Sequence, residues 1–247
     1  MNLKQQVKRI GMLSPPLPWD KAQVNGDNDQ EVVVMLHGLW RSVRAMHPMA
    51  QHLSNHGYTT VNVPYASFRY DLDELVDIVI NEIQPWIEQG RSIHFVTHSL
   101  GGVLVRRLLE LLEVNQIEKV GRVVMLAPPH KGSEIVDWLK SSRLSSLKGM
   151  LGPAGEFLSS ARMAMQSVEF PAGVESAVIM GEKSAIPFFR KLLKSSNDGI
   201  VSVEKGRLLG IKEFKVVEAD HTFISSELSV MKLTTDFIKH GTMEITS

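Results

Sequence analysis

The chain of 247 residues has no cysteine and no net charge. Without thiols it cannot form a disulfide, a thiolate metal site or a cysteine nucleophile. Its 27 basic and 27 acidic side chains balance, so there is no electrostatic reason to expect a nucleic acid as partner. These two absences exclude thiol chemistry and argue against a nucleic-acid-binding protein.

Long apolar runs are absent as well. No stretch approaches the roughly 20 apolar residues of a membrane-spanning helix, and residues 1–20 contain no apolar block long enough for a signal peptide. Together with the lack of cysteine, this leads us to expect a cytoplasmic protein without an integral membrane segment. The apolar fraction of 43% and the charged fraction of 22% are typical of a folded domain.

Patterns of strands and helices alternate along the chain. Short runs of apolar and β-branched residues predict six strands, at 31–36, 58–63, 92–97, 122–127, 176–180 and 214–219. Helical spacing predicts helices at 72–83, after residue 99 and at 225–239. At the first helix, Asp71 and Glu74 predict a capping box, and Pro85 predicts a kink or an end. The alternation predicts an α/β fold with a mostly parallel central sheet and helices on both faces.

Two regions fall outside this alternation. Residues 1–30 have no sustained period and contain three prolines, which predicts an irregular N-terminal arm on a single domain spanning 31–247. Residues 131–171 have helix-like apolar residues but no strand pattern. Because this segment follows the fourth predicted strand, at the edge where strand-end loops gather, we expect a helical cap over a ligand site. A peripheral helical pair is the alternative.

The stretch Thr-His-Ser-Leu-Gly-Gly at 97–102 places Ser99 between a predicted strand and a predicted helix. A serine on such a tight turn has a strained backbone and presents its hydroxyl at the top of the sheet as a nucleophile. Strand and helix approach closely there, so the residues two before and two after the serine must be small. These residues are Thr97 and Gly101. The alternative is that Ser99 only caps the helix.

A serine hydroxyl needs a base, and the nine histidines are the candidates. His221 lies just after the last predicted strand and is the preferred base. His130 also follows a strand and is the second candidate. We expect His98 to point to the other side of the strand end, and His37 to order its own loop through hydrogen bonds.

The carboxylate that orients the imidazole should follow the strand before the histidine. Asp198 lies in a turn-forming Asn-Asp-Gly cluster at this position. Glu182 and Asp220 are the alternatives, and Asp198 could also be an ordinary turn residue.

Two backbone N–H groups are candidates for stabilising a developing oxyanion. Leu39 lies in the loop Leu-His-Gly-Leu-Trp at 36–40, directly after the first predicted strand. Leu100 follows the serine at the start of its helix, where the helix dipole favours negative charge. We predict that these two amides form an oxyanion hole.

With these motifs in this order, the chain resembles the α/β-hydrolase superfamily, and within it the compact bacterial lipases and esterases. The likeness runs over residues 31–223 and rests on LHGLW, VTHSLGG, LAPPHKGS, NDGIVSV and ADHTF. The chain order of serine, aspartate and histidine is that of α/β-hydrolases and differs from that of other serine hydrolases. Thr97 stands where the strict motif has glycine.

The resemblance implies a nucleophile at Ser99, a base at His221 and an acid at Asp198, with an oxyanion hole at the Leu39 and Leu100 amides. It implies no metal, no organic cofactor, and a small-molecule ester or lipid as substrate. We therefore predict a serine esterase or lipase that works through an acyl-enzyme. The alternatives are an acyltransferase or thioesterase on the same triad, and a catalytically silent binding module. The sequence predicts no oligomeric state.

Overall fold

A computed structural model describes residues 9–17, 20–29, 31–112, 114–141, 151–164, 169–184, 193 and 195–244. These residues form one seven-stranded sheet with the strand order β1-β3-β2-β4-β5-β6-β7. The strands are β1 Gln23–Asn25, β2 Glu31–Leu36, β3 Thr59–Asn62, β4 Ser92–His98, β5 Val120–Leu126, β6 Glu175–Gly181 and β7 Glu213–Val217. All neighbouring pairs are parallel except β1 with β3. The prediction of a mostly parallel sheet is therefore confirmed.

The six predicted strands all appear, and their ends differ from the predicted ones by at most two residues. The continuous apolar character of the central strands follows from burial on both faces of the sheet, as in β2, where Val32–Leu36 have no exposed surface. The edge strand β1 was not predicted. It lies inside the stretch expected to be an irregular arm, and its three residues are too few to show a period of two.

Helices cover both faces of the sheet, as predicted. They are α1 Val43–Asn55, α2 Leu72–Glu88, α3 Leu100–Leu111, α4 Val114–Ile117, α5 Glu134–Ser141, α6 Gly152–Phe157, α7 Ser160–Met163 and α8 Leu228–His240. Helix α2 packs against α3, and α1 packs against α8. Short 3-10 turns occupy Val203–Gly206 and Ile224–Ser226. Within the part of the chain that the structure describes, no helix combines the length and apolar character needed to span a membrane.

Helix α2 begins with the predicted capping box. The Asp71 side chain accepts a hydrogen bond from the Glu74 N–H, and the Glu74 side chain accepts one from the Asp71 N–H. The helix continues past Pro85 to Glu88, so the proline does not end it. A proline so close to the C-terminus removes one intrahelical hydrogen bond and leaves the preceding turns intact.

The segment predicted as a cap contains α5, α6 and α7 and no strand in its described parts. Its residues 142–150 and 165–168 lie outside the described residues. At the start of α6 the chain comes so close to the Phe68 backbone that a Cβ on Gly152 would overlap it, and Gly152 has a left-handed φ of +65°. The segment is therefore fixed against the loop that follows β3.

Candidate active site

Ser99 connects the end of β4 to the start of α3 in a left-handed backbone conformation, with φ 53° and ψ −117°. The Ser99 N–H donates to the Leu126 carbonyl oxygen at 2.8 Å, which ties the turn to β5. A Cβ added to Gly101 would lie 2.5 Å from the Leu36 carbonyl oxygen, so only glycine fits there. The Ser99 hydroxyl makes no capping bond to α3, contrary to the alternative of a simple helix cap.

The three residues of the predicted triad lie in one hydrogen-bonded line. Ser99 Oγ is 3.0 Å from His221 Nε2, and His221 Nδ1 is 2.7 Å from Asp198 Oδ2. All three residues are buried, with relative exposures of 8%, 7% and 2% in the same order. In the tautomer that carries its proton on Nδ1, the His221 ring donates a hydrogen bond to the carboxylate, and Nε2 is free to accept the serine proton.

Backbone groups hold the carboxylate in place. Asp198 Oδ1 accepts hydrogen bonds from the N–H groups of Ile200 at 2.9 Å and Val201 at 2.8 Å. The His221 N–H donates to the Asp198 carbonyl oxygen at 3.0 Å. The loops after β6 and β7 are thus joined by both backbone and side chains, which fixes the imidazole between its two partners.

The alternative acids and the alternative base do not take part in this line. Asp220 Oδ1 accepts the N–H groups of Thr222 and Phe223, and Glu182 accepts a hydrogen bond from the Ser196 hydroxyl at 3.3 Å. Burial, together with the charge of Arg106, lowers the pKa of His130 to about 3. Both ring nitrogens of His130 are buried and have no hydrogen-bond partner among the described residues.

His37 orders its loop, as predicted. Its ring stacks on Tyr65 with centroids 3.9 Å apart, and its Nδ1 donates to the Gly38 carbonyl oxygen at 3.0 Å. The Tyr65 hydroxyl donates a hydrogen bond to the His37 carbonyl oxygen. Burial lowers the pKa of His37 to about 4, so the ring is neutral at pH 7.

The prediction for His98 is wrong. Its Nε2–H donates to the His221 carbonyl oxygen at 2.8 Å, and the two rings lie 5.0 Å apart. His98 is the last residue of β4, directly before the turn at Ser99, and it lines the same cleft as Ser99 and His221. The His98 side chain therefore holds the backbone of the loop that contains His221.

The residues of the predicted oxyanion hole flank the serine. Gly38–Arg41 form a turn closed by a hydrogen bond from the Arg41 N–H to the Gly38 carbonyl oxygen at 3.2 Å, and within it Trp40 has a left-handed φ of 59°. Leu39 lies in this turn, and Leu100 is the first residue of α3. Neither N–H has an acceptor among the described residues. Their role as oxyanion donors stays a prediction.

A cleft of ≈ 330 Å³ opens above the serine. Ser99 and His221 lie in its floor, and most of its wall is aliphatic. Part of the wall comes from the segment predicted as a cap, namely Ser133, Ile135, Val136, Leu139, Leu151 and Leu158. Arg41 also lines the cleft, although the sequence patterns did not single it out. The signal for it was its place two residues after Leu39, in the loop expected to hold an oxyanion.

No described group of three or more histidine, aspartate or glutamate side chains could hold a metal ion. The site joins the Ser99 hydroxyl, the His221 imidazole and the Asp198 carboxylate through hydrogen bonds. An arrangement of this kind can move a proton from the serine to the histidine while the serine oxygen attacks an electrophilic carbon.

Comparisons with known proteins agree with this fold. The sequence profile of the Alpha/beta hydrolase family matches residues 33–201. The mature lipase BlEst2 of Bacillus licheniformis is 21% identical with a TM-score of 0.74, over 90% of this chain and 98% of that one. The metagenomic carboxyl esterase MGS0156 is 23% identical with a TM-score of 0.62, over 85% and 72%.

A third solved structure, the monoacylglycerol lipase of Paleococcus ferrophilus, is 16% identical with a TM-score of 0.58, over 88% of this chain and 97% of that one. No curated protein matches the sequence. At these identities the solved structures establish the shared fold and no more.

Proposed function

Because the chain belongs to the alpha/beta hydrolase family, we propose that it is a serine hydrolase that cleaves carboxylic esters through an acyl-enzyme. The observation that carries the proposal is the buried line from Ser99 through His221 to Asp198, with distances of 3.0 and 2.7 Å. Ser99 is the nucleophile, His221 the general base and Asp198 the group that orients the imidazole. The names of the similar structures, which include a lipase and a carboxyl esterase, point to the same class.

Acylation proceeds as follows. The Ser99 oxygen attacks the ester carbonyl carbon while His221 Nε2 accepts the hydroxyl proton, and the carbonyl oxygen becomes an oxyanion between the Leu39 and Leu100 amides. When the tetrahedral intermediate collapses, the bond to the alcohol oxygen breaks and His221 gives its proton to that oxygen. Loss of one oxyanion donor typically raises such a barrier by about 3 kcal/mol.

Deacylation repeats these steps with water. His221 accepts a proton from water as the water oxygen attacks the acyl carbon, and it returns that proton to Ser99 Oγ as the acyl–oxygen bond breaks. The aliphatic wall of the cleft favours apolar parts of the substrate, and we assign the predicted cap segment the role of binding them. The same groups would serve an acyltransferase or thioesterase if an alcohol or thiol took part instead.

A fluorophosphonate probe tests the nucleophile, because it forms a stable bond only with an activated serine. We expect the wild-type protein to be labelled and the S99A variant to remain unlabelled. S92A is the matched control, since Ser92 begins β4 at the opposite end of the same strand, and it should label like the wild type. Absence of Ser99-dependent labelling would leave a silent binding module as the better description.

Hydrolysis of p-nitrophenyl esters of increasing chain length then tests the reaction. Wild type and S92A should release p-nitrophenol from one or more of these esters, and S99A should not. Addition of an alcohol or thiol acceptor distinguishes hydrolysis from acyl transfer. A transferase would form the new ester or thioester in preference to the free acid.

A further inference from the structure

Arg41 is the one permanently charged side chain among the described residues that line the cleft. It lies two residues after Leu39, in the turn closed by its own N–H on the Gly38 carbonyl oxygen. Ser99 and His221 line the same cleft. A positive charge is therefore built into the wall of an otherwise mostly aliphatic site, next to the groups that we assign to catalysis.

No carboxylate of the described residues forms an ion pair with Arg41. Asp220 is the acidic residue that acts on it electrostatically, but the two form no ion pair among the described residues. The Asp220 carboxylate instead accepts hydrogen bonds from the N–H groups of Thr222 and Phe223. The guanidinium thus keeps its donors available for a ligand.

The surroundings of Arg41 make its charge costly without such a ligand. Its side chain is half-buried, and burial lowers the pKa of the guanidinium. An arginine remains charged even so. A carboxylate or phosphate fits the planar fork of the guanidinium with two parallel hydrogen bonds, and it would restore the solvation that the cleft removes.

We infer that Arg41 is a specificity-determining residue that binds a negatively charged group of the substrate, so that the natural substrate is an ester carrying a carboxylate or a phosphate. The inference rests on the proposed function, since it places the anion in the same molecule as the ester that Ser99 attacks. The aliphatic wall binds the rest of the molecule. Arg41 keeps the anion on one side of the scissile bond.

Two matched pairs of esters test this assignment. In the first pair, mono-p-nitrophenyl glutarate is compared with its methyl ester, so the members share an acyl chain and a leaving group and differ in one negative charge. In the second pair, hexanoylglycerol phosphate is compared with hexanoylglycerol by the release of hexanoate. The first pair carries a carboxylate on the acyl side and the second carries a phosphate on the alcohol side. The two pairs therefore distinguish a carboxylate substrate from a phosphate substrate.

We expect the wild type to prefer the anionic member of at least one pair, measured as the ratio of kcat/KM values. R41Q should reduce that ratio by about 10- to 100-fold, the range expected for a hydrogen bond to a charged group. Most of the loss should appear in KM, because the charge of this part of the substrate does not change during the reaction. R41K, which keeps the charge without the fork, should give an intermediate ratio.

K119Q is the matched control, because Lys119 is an exposed cation before β5, at the opposite edge of the sheet. It should leave the ratio at the wild-type value. The inference is overturned if the wild type prefers the neutral member of both pairs, or if the anionic preference persists in R41Q. It is also overturned if R41Q lowers kcat equally for both esters of a pair, as a purely structural role of Arg41 would require.

Fluorophosphonate labelling separates this test from the proposed function. If Ser99 is labelled and neutral esters are cleaved without any preference for an anion, the proposed function stands and the role of Arg41 is refuted. If neither ester of either pair is cleaved and Ser99 is not labelled, the proposed function fails and the inference fails with it. Thermal unfolding of R41Q shows whether that variant is folded, and R41K repeats the test with a smaller change.

Discussion

The left-handed conformation of Ser99 should cost stability that a glycine would recover. With φ 53° and ψ −117°, the residue lies in a region that side chains with a Cβ rarely adopt, at a cost of about 1–3 kcal/mol. Alanine keeps the Cβ and therefore the strain, whereas glycine removes it. Because both variants lack the hydroxyl, a comparison of S99A with S99G measures the backbone strain without the effect of losing the hydroxyl.

Ser176 provides the matched control. It is the second residue of the parallel strand β6 and is fully buried, so its backbone is extended and unstrained. In both places, a change from alanine to glycine loses a buried methyl group, worth about 0.8 kcal/mol. The change also adds freedom to the unfolded chain, worth about 0.5–1 kcal/mol. These costs cancel in the difference, and the strain at Ser99 remains.

We therefore expect the alanine-to-glycine change to be about 2 kcal/mol more favourable at Ser99 than at Ser176. Urea unfolding of the four variants measures this difference, and thermal unfolding should show it as about 4–8 °C in Tm for a chain of this size. Equal effects at the two positions would refute the strained turn. Neither Ser99 variant should react with the fluorophosphonate probe.

Three further changes test other parts of the molecule. D198N should lower kcat by about 10⁴-fold on any ester that is cleaved, because an amide neither holds the required imidazole tautomer nor stabilises the imidazolium. G101A should lower the free energy of unfolding by about 1–3 kcal/mol, because its Cβ would lie 2.5 Å from the Leu36 carbonyl oxygen; urea unfolding measures it. A histidine has an ordinary pKa of 6.5, and burial lowers the pKa of His130 in the folded protein to about 3. The contribution of the neutral ring to stability is therefore complete above pH 6.5 and is lost progressively as the pH falls towards 3. In the H130Q variant, the slope of the unfolding free energy between pH 6 and 4.5 should be smaller by about 1.4 kcal/mol per pH unit.

Each of these changes has a counterpart in the chain. D220N should retain most activity, since Asp220 contacts backbone amides rather than the imidazole; equal losses in D198N and D220N would contradict the assigned acid. A Cβ on Gly11 meets no atom within 4 Å, so G11A should not destabilise. S92A removes no titratable group and should leave the pH slope as in the wild type; an unchanged slope in H130Q would contradict the lowered pKa of His130.

The fold was predictable because its central strands are buried on both faces. Runs such as Val32–Leu36 are continuous and apolar because neither side of the strand is exposed to water. Such runs differ from helices, in which apolar residues recur every three or four positions. Strand β1 had no such signal, because it is three residues long and lies at the edge of the sheet. Its pairing with β3 depends on the shape of the finished sheet rather than on its own sequence.

The placement of the predicted triad followed from the same topology. Ser99, Asp198 and His221 each come after a parallel strand, and the carboxyl ends of parallel strands meet at one edge of a sheet. Sequence order was therefore enough to place these residues at one edge. Their hydrogen-bond distances and their burial needed the structure, and their catalytic roles remain to be tested.

His98 and Arg41 could not be placed in this way. Arg41 lies beyond the end of β2 and directly after Trp40, whose backbone is left-handed. For His98, the last residue of β4, the strand pattern gives a face but not the loop that comes to lie against it. Strand alternation predicts the direction of a side chain only while the backbone stays extended, and a single left-handed residue redirects the chain. Such residues cluster where function requires an unusual geometry. The side chains nearest the chemistry are therefore the ones whose directions a sequence pattern predicts least well.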